Sequence, residues 1–100
     1  IDMAAPGGDA SRDGNADGRS DLVSSTSAAL INGTVQETYI GLQGTSMAAP
    51  HVSAVFALMK SLNPALDYER LNDMLKIGKL TCGSETCPKS AELGWGLLEA

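Results

Sequence analysis

The sequence is poor in the residues that most often mark a site. It has one histidine, His51, and two cysteines, Cys82 and Cys87. No second Cys or His pair exists to complete a tetrahedral zinc centre around those cysteines. Basic residues are also few: seven Lys and Arg stand against 12 Asp and Glu, for a net charge of −5. The seven are scattered, whereas a phosphate backbone needs a concentrated basic patch. Nucleic acid is therefore not an expected partner, and neither is an anionic membrane surface. The longest uncharged apolar run, residues 47–59, has 13 residues, against the roughly 20 that a membrane-spanning helix needs. No basic segment followed by an apolar run opens the chain, so no secretory signal is read there. Ile1 stands where an initiator Met would, so the sequence is expected to be an internal segment of a longer chain. There are no repeats.

What is present is an ordinary globular mixture, 43% hydrophobic and 19% charged, in a length that holds one domain at most. Ile1 to Ala5 reads as the tail of a buried strand stopped by Pro6-Gly7-Gly8. Residues 7–21 form a loop rich in Gly, Asp and Ser. Leu22–Thr26 and Thr38–Leu42 are strand candidates with Asn32-Gly33 between them as a turn signal. The period then changes. Ala48, Val52, Val55, Phe56, Met59 and Leu62 recur at helical spacing, with Ala49, Ser53, Ala54 and Ala57 as small residues on the other side. Such a helix is expected to be buried all round. It must begin near Ser46, since Pro50 is tolerated only about one turn in. Lys60 lies near its C-terminus, where the helix dipole favours a cation. Asn63-Pro64 ends it. Asp67 is an N-cap for a second helix, with Leu66 and Leu71 as a hydrophobic staple, Leu71, Met74 and Leu75 as its buried stripe, and Gly78 as its stop. Strands followed by a sharp turn and a buried helix suit part of an α/β domain.

Gly44-Thr45-Ser46-Met47-Ala48-Ala49-Pro50-His51 is the most informative string. At the start of a helix, the first N–H groups have no intrahelical partners and the dipole adds about half a positive charge. An oxyanion developing beside Ser46 would find donors in place there, and Gly44 lets another backbone approach closely. The plain alternative is that Ser46 is only an N-cap. His51 is a poor base for it. Five residues along a helix is a rotation of about 140°, so its ring faces away from the Ser46 hydroxyl. A buried, hydrogen-bonded structural histidine is expected instead. Met47 either packs as an ordinary core methionine or borders the site, where it would be open to sulfoxide formation.

The string GTSMAAPH followed by Val52-Ser53-Ala54 resembles the motif around the nucleophilic serine of subtilisin-like serine proteases, with eight consecutive positions in agreement. Ala5-Pro6-Gly7 and Gly94-Trp95-Gly96-Leu97-Leu98 resemble further segments of the same family. The resemblance covers residues 1–7, 38–75 and 93–100, is weak through 8–37 and is absent from the cysteine loop. The related sedolisins also place a serine after Gly-Thr, but the Met-Ala-Ala-Pro-His continuation is similar to subtilisin-like enzymes. The resemblance implies an α/β fold: residues 1–100 would be the C-terminal portion of one peptidase catalytic domain, a parallel sheet in three layers, with a loop insertion at about 8–21. It implies Ser46 as nucleophile of an Asp-His-Ser triad, its own N–H as one oxyanion donor, and Gly44 and Thr45 as shapers of the turn beside the substrate. The triad His and Asp, and an Asn that supplies the second oxyanion donor, would lie upstream, so this piece alone is expected to be inactive. Its partners would be a peptide or protein substrate and the N-terminal part of the same domain.

The loop Asp13-Gly14-Asn15-Ala16-Asp17-Gly18-Arg19-Ser20-Asp21 has the oxygen spacing of the first half of an EF-hand-type calcium loop. Asp13, Asn15 and Asp17 would give side-chain oxygens, Arg19 a backbone carbonyl, and Asp21 a direct or water-mediated ligand. The twelfth position is Ser24 rather than a bidentate Glu. Asp9 is an extra ligand candidate, with no spacing argument behind it. A solvated polar loop making turns is the other reading. Many subtilisin-like proteases bind structural calcium, and the resemblance implies no cofactor for the chemistry itself.

Cys82 and Cys87, with Gly83, Ser84, Thr86 and Pro88 around them, suit a small-loop disulfide; two free thiols is the alternative. The disulfide would mean an oxidising compartment, and the expected localisation is secreted or extracellular. Two rival functions stand beside the protease: a relative that keeps the serine helix as scaffold without catalysis, and a calcium-binding structural module.

Overall fold

The computed structural model describes residues 1–81 and 88–98. Cys82 and Cys87, and any bond between them, lie outside the described residues. The elements are β1 (Val23–Ile31), β2 (Thr34–Leu42), α1 (Thr45–Leu62) and α2 (Tyr68–Lys76). The chain divides into two compact units, Gly7–Ala48 and a second formed by Ile1–Pro6 with Ala49–Ala100, so the division falls inside α1.

In the unit Gly7–Ala48, β1 and β2 pair antiparallel in unbroken register from Val23↔Leu42 to Ile31↔Thr34. Asn32 and Gly33 join them with φ of 51° and 78°. Positive φ at both central residues is the requirement of a type I′ turn, whose twist matches that of the strands. The sequence-based strand segments therefore extend to nine residues each. The two described strands pair antiparallel, because a two-residue connection can only reverse the chain; the parallel sheet expected of the larger domain is a separate matter from this hairpin. One face of the hairpin is exposed, with Leu30 at 73%, Val35 at 70% and Tyr39 at 75% accessible; the other is partly covered, with Val23, Ser27, Ala29 and Thr38 half-buried. Residues 9–21 close on themselves ahead of the hairpin. Asp9 and Asp21 form an antiparallel bridge, with the Asp9 N–H on the Asp21 carbonyl at 2.7 Å and the Asp21 N–H on the Arg12 carbonyl at 2.8 Å.

In the other unit, α2 begins where its capping residue predicts. Asp67 has extended backbone, and its Oδ1 accepts from the Arg70 N–H at 2.9 Å. The helix ends in a Schellman motif: Gly78 at φ 75° donates to the Leu75 carbonyl and Lys79 donates to that of Met74, both at 3.0 Å. Leu66 and Leu75 are buried together with Leu80 and Thr81, while Leu71 and Met74 are half-buried. Lys60 Nζ reaches past the end of α1 to the Leu66 carbonyl at 2.7 Å, fixing the turn between the helices.

The N-terminal segment is not a strand. Only Ala4 bridges, parallel, to Leu97, through Ala4 N–H to the Gly96 carbonyl at 2.9 Å and Leu98 N–H to the Ala4 carbonyl at 2.8 Å. Ile1 is 75% exposed. Gly94, at φ 62°, passes so close to Asp2 that a Cβ there would sit 2.4 Å from its carbonyl.

Helix α1 departs from expectation most. None of its residues is buried; Val52, Val55, Phe56 and Met59 are half-buried, and Leu58 and Leu62 are 65% and 88% exposed. Among the described residues, the sheet consists of one hairpin, so the second layer that would cover an all-apolar helix is not among them. No helix is long and apolar enough to cross a membrane.

Candidate active site

The geometry around Ser46 belongs entirely to the unit Gly7–Ala48. β2 ends at Leu42, and three residues bring the chain to Ser46 in the first turn of α1. Gly44 makes the corner. Its φ of 136° lies in a region that only glycine occupies without strain. Its carbonyl accepts from the N–H groups of Met47 at 2.9 Å and Ala48 at 3.2 Å, so it opens the helix. Its own N–H donates to the Gly7 carbonyl at 2.8 Å.

Ser46 is exposed. Its Oγ lies 3.7 Å from the point where a Cβ on Gly44 would stand. Among the described residues, neither the Ser46 hydroxyl nor the N–H groups of Thr45 and Ser46 have a hydrogen-bond partner. Pro50 has no N–H to give to the Ser46 carbonyl one turn back. The result is an accessible hydroxyl beside free donors at the positive end of an 18-residue helix. A nucleophilic serine that must stabilise an oxyanion needs this arrangement.

His51 is exposed, not buried as expected, for the same reason that α1 as a whole is uncovered. Thr45 and Gly44 are exposed beside Ser46. Gly7 was not marked as a site residue by its sequence, although it lies within the Ala5-Pro6-Gly7 string. Its signal was the pairing of two glycines, at 7 and 44, where two backbones must touch. Gln43 was also missed: its side-chain oxygen accepts from the Ala10 N–H and ties the start of the acidic loop to the residue before Gly44.

The acidic loop is organised by its own carboxylates. Asp13 accepts from the N–H groups of Asp17 at 3.1 Å and Gly18 at 2.8 Å. Asn15 Oδ1 accepts from the Asp17 N–H, Asp17 Oδ1 from Arg19 N–H, and Asp21 Oδ2 from Gly14 N–H. Gly18, the sixth loop position, has φ of 83°. Among the described residues no group of three or more His, Cys, Asp or Glu side chains is placed to hold a metal ion. The candidate ligands thus shape one loop but do not converge as a ligand set. Beside them, Asp9 accepts from both the Oγ and the N–H of Ser11, at 2.6 and 2.8 Å. These bonds, the hydroxyl foremost, hold its carboxyl below the ordinary aspartate value.

Comparison with known proteins agrees with the motif. Residues 1–94 match the model of the Subtilase family, and the chain belongs to that family. It is 32% identical over 74 residues to Subtilisin-like protease 1 of Plasmodium berghei (strain Anka), covering 74% of this chain and 12% of that protein. It is 43% identical over 56 residues to Bacillopeptidase F of Bacillus subtilis, covering 56% of this chain and 4% of that protein. Over 39 residues it is 49% identical to the M-protease of Shouchella clausii, covering 39% of this chain and 10% of that protein. The chain thus spans a small part of the length of the relatives it matches. No solved structure matches it.

Proposed function

We propose that this chain is the part of a subtilisin-like serine endopeptidase that carries the nucleophile, Ser46. The observation that carries the reading is the exposed Ser46 hydroxyl beside free N–H groups in the first turn of α1, within a chain of the Subtilase family. In this reading Ser46 Oγ attacks the carbonyl carbon of the scissile peptide, and its proton passes to a histidine supplied from outside these residues. The carbonyl oxygen becomes an oxyanion that accepts from the Ser46 N–H. The histidine then returns the proton to the leaving amine, and water hydrolyses the acyl-enzyme. Gly44 and Thr45 shape the turn and border the substrate. The chain completes its domain, a three-layer parallel α/β sandwich, with the N-terminal part that holds the triad His and Asp and the oxyanion Asn. Alone it has no useful activity, and the whole protein is secreted. The test is covalent labelling of the full-length protein by a fluorophosphonate, with and without Ser46→Ala.

A structural calcium ion at the loop 13–21 is a separate proposal. The bend at Gly18 and the acceptance of two N–H groups by Asp13 support it. A carboxylate has about four lone-pair sites, so these bonds do not exhaust its oxygens. Binding would require Asp13, Asn15, Asp17, the Arg19 carbonyl and Asp21 to draw together around the ion. No catalytic step passes through it.

A further inference from the structure

We infer that Gly7 is a positioning residue for the Ser46 hydroxyl, acting through the backbone of Gly44; the inference rests on the reading of Ser46 as nucleophile. Two observations meet at this contact. The Gly7 carbonyl holds the Gly44 N–H at 2.8 Å, and a Cβ on Gly7 would stand 2.7 Å from the Gly44 carbonyl oxygen and 3.5 Å from the Ala48 Cβ. That oxygen is the acceptor for the Met47 and Ala48 N–H groups, so it anchors the first helical turn on either side of Ser46. The obstacle is backbone, which cannot turn aside as a flexible side chain does. Any side chain at position 7 therefore pushes the helix start away by some tenths of an ångström, or breaks the Gly44 N–H bond. Either change moves the Ser46 Oγ and N–H together, while the substrate's contacts elsewhere remain. Small displacements of a reacting atom cost rate steeply, so the effect belongs to kcat more than to KM. Gly94 offers the matched comparison. It is still less tolerant of a Cβ, but its obstacle is the backbone of Asp2, in the other unit.

The experiment uses the full-length protein and four forms: parent, Ser46→Ala, Gly7→Ala and Gly94→Ala. Fluorophosphonate labelling rate and peptide kcat and KM are measured per folded molecule, with folding followed by circular dichroism. The expected result is a fall of about 10-fold or more in labelling rate and kcat for Gly7→Ala, with KM within about twofold. Gly94→Ala lowers the melting temperature and leaves the labelling rate of the folded protein at the parent value. Labelling of folded Gly7→Ala at the parent rate overturns the inference. Absence of labelling in the parent, or its persistence in Ser46→Ala, defeats instead the reading of Ser46 on which the inference stands. Should Gly7→Ala not fold, amide hydrogen exchange of the parent decides. A Gly44 amide protected at least about 10-fold over that of Thr45, and slowed further in the Ser46 adduct, supports the inference; exchange of both amides at one rate overturns it.

Discussion

The Gly44 N–H donates to the Gly7 carbonyl at 2.8 Å across 37 positions of sequence. This contact joins the start of the acidic loop to the start of the serine helix. It explains why the corner before Ser46 needs glycine twice. At 44 the backbone takes a φ of 136°; at 7 there is no room for a side chain. The hydroxyl at 46 is thereby carried on backbone that is held from both directions, by the Gly7 carbonyl before the helix and by the first turn of α1 after it.

The cap of α2 predicts a local cost. Asp67→Ala removes the acceptor of the Arg70 N–H and should lower stability by about 1 kcal/mol. Asp67→Ser should restore most of the loss. Guanidinium unfolding of the full-length protein measures both, and equal midpoints for parent and Asp67→Ala would contradict the cap.

At the other end of that helix, Gly78→Ala places a Cβ on a residue with φ of 75°. The expected loss is roughly 1–2 kcal/mol. The same unfolding experiment reads it, and an unchanged or raised stability would show that the Schellman end does not form.

These caps were legible because each is written in a few adjacent residues. The Asn32-Gly33 turn was legible for the same reason, and so was the start of α1, where Gly44 and Pro50 bracket Ser46. The hairpin's length was not. Ser24, Ser25, Thr26, Ser27, Ala28 and Ala29 show no alternation of apolar and polar: the side with Val23, Ser27 and Ala29 is only half-buried, so small and polar residues are accepted on it and impose no hydrophobic period. The Asp9–Asp21 closure was hidden because it is a backbone pairing, without side-chain signature. Ile1–Ala5 and α1 were misjudged in burial because apolar residues report that cover is needed, not which segment provides it. The Gly7–Gly44 contact required the three-dimensional path of the chain.

The Asp9 carboxyl should titrate low. Because the Ser11 hydroxyl and N–H stabilise its charged form, the folded-state value lies below the unfolded value of about 3.9. Its contribution to stability is therefore present above that unfolded value and is lost as pH falls through the folded one. An NMR titration of the side-chain carboxyl carbon checks this. Ser11→Ala should move the midpoint upward; a parent midpoint at or above about 3.9 would contradict the bonding.

Calcium should bind saturably when titrated into the full-length protein and raise its melting temperature. At an ion concentration 100 times the dissociation constant, the stabilisation would be about 2.7 kcal/mol. Asp13→Ala should abolish the response attributable to loop 13–21. Identical melting with calcium and with a chelator would remove the ion from the account and leave the loop held by its hydrogen bonds alone.

The central claim is that Ser46 is a nucleophile, and the most direct measurement is mass spectrometry of the full-length protein after fluorophosphonate treatment. The account predicts one stoichiometric adduct, mapped to the peptide containing Ser46 and absent from Ser46→Ala, with proteolytic activity lost in step. An active, labelled Ser46→Ala protein, or an adduct on any other residue that accompanies the loss of activity, would contradict it.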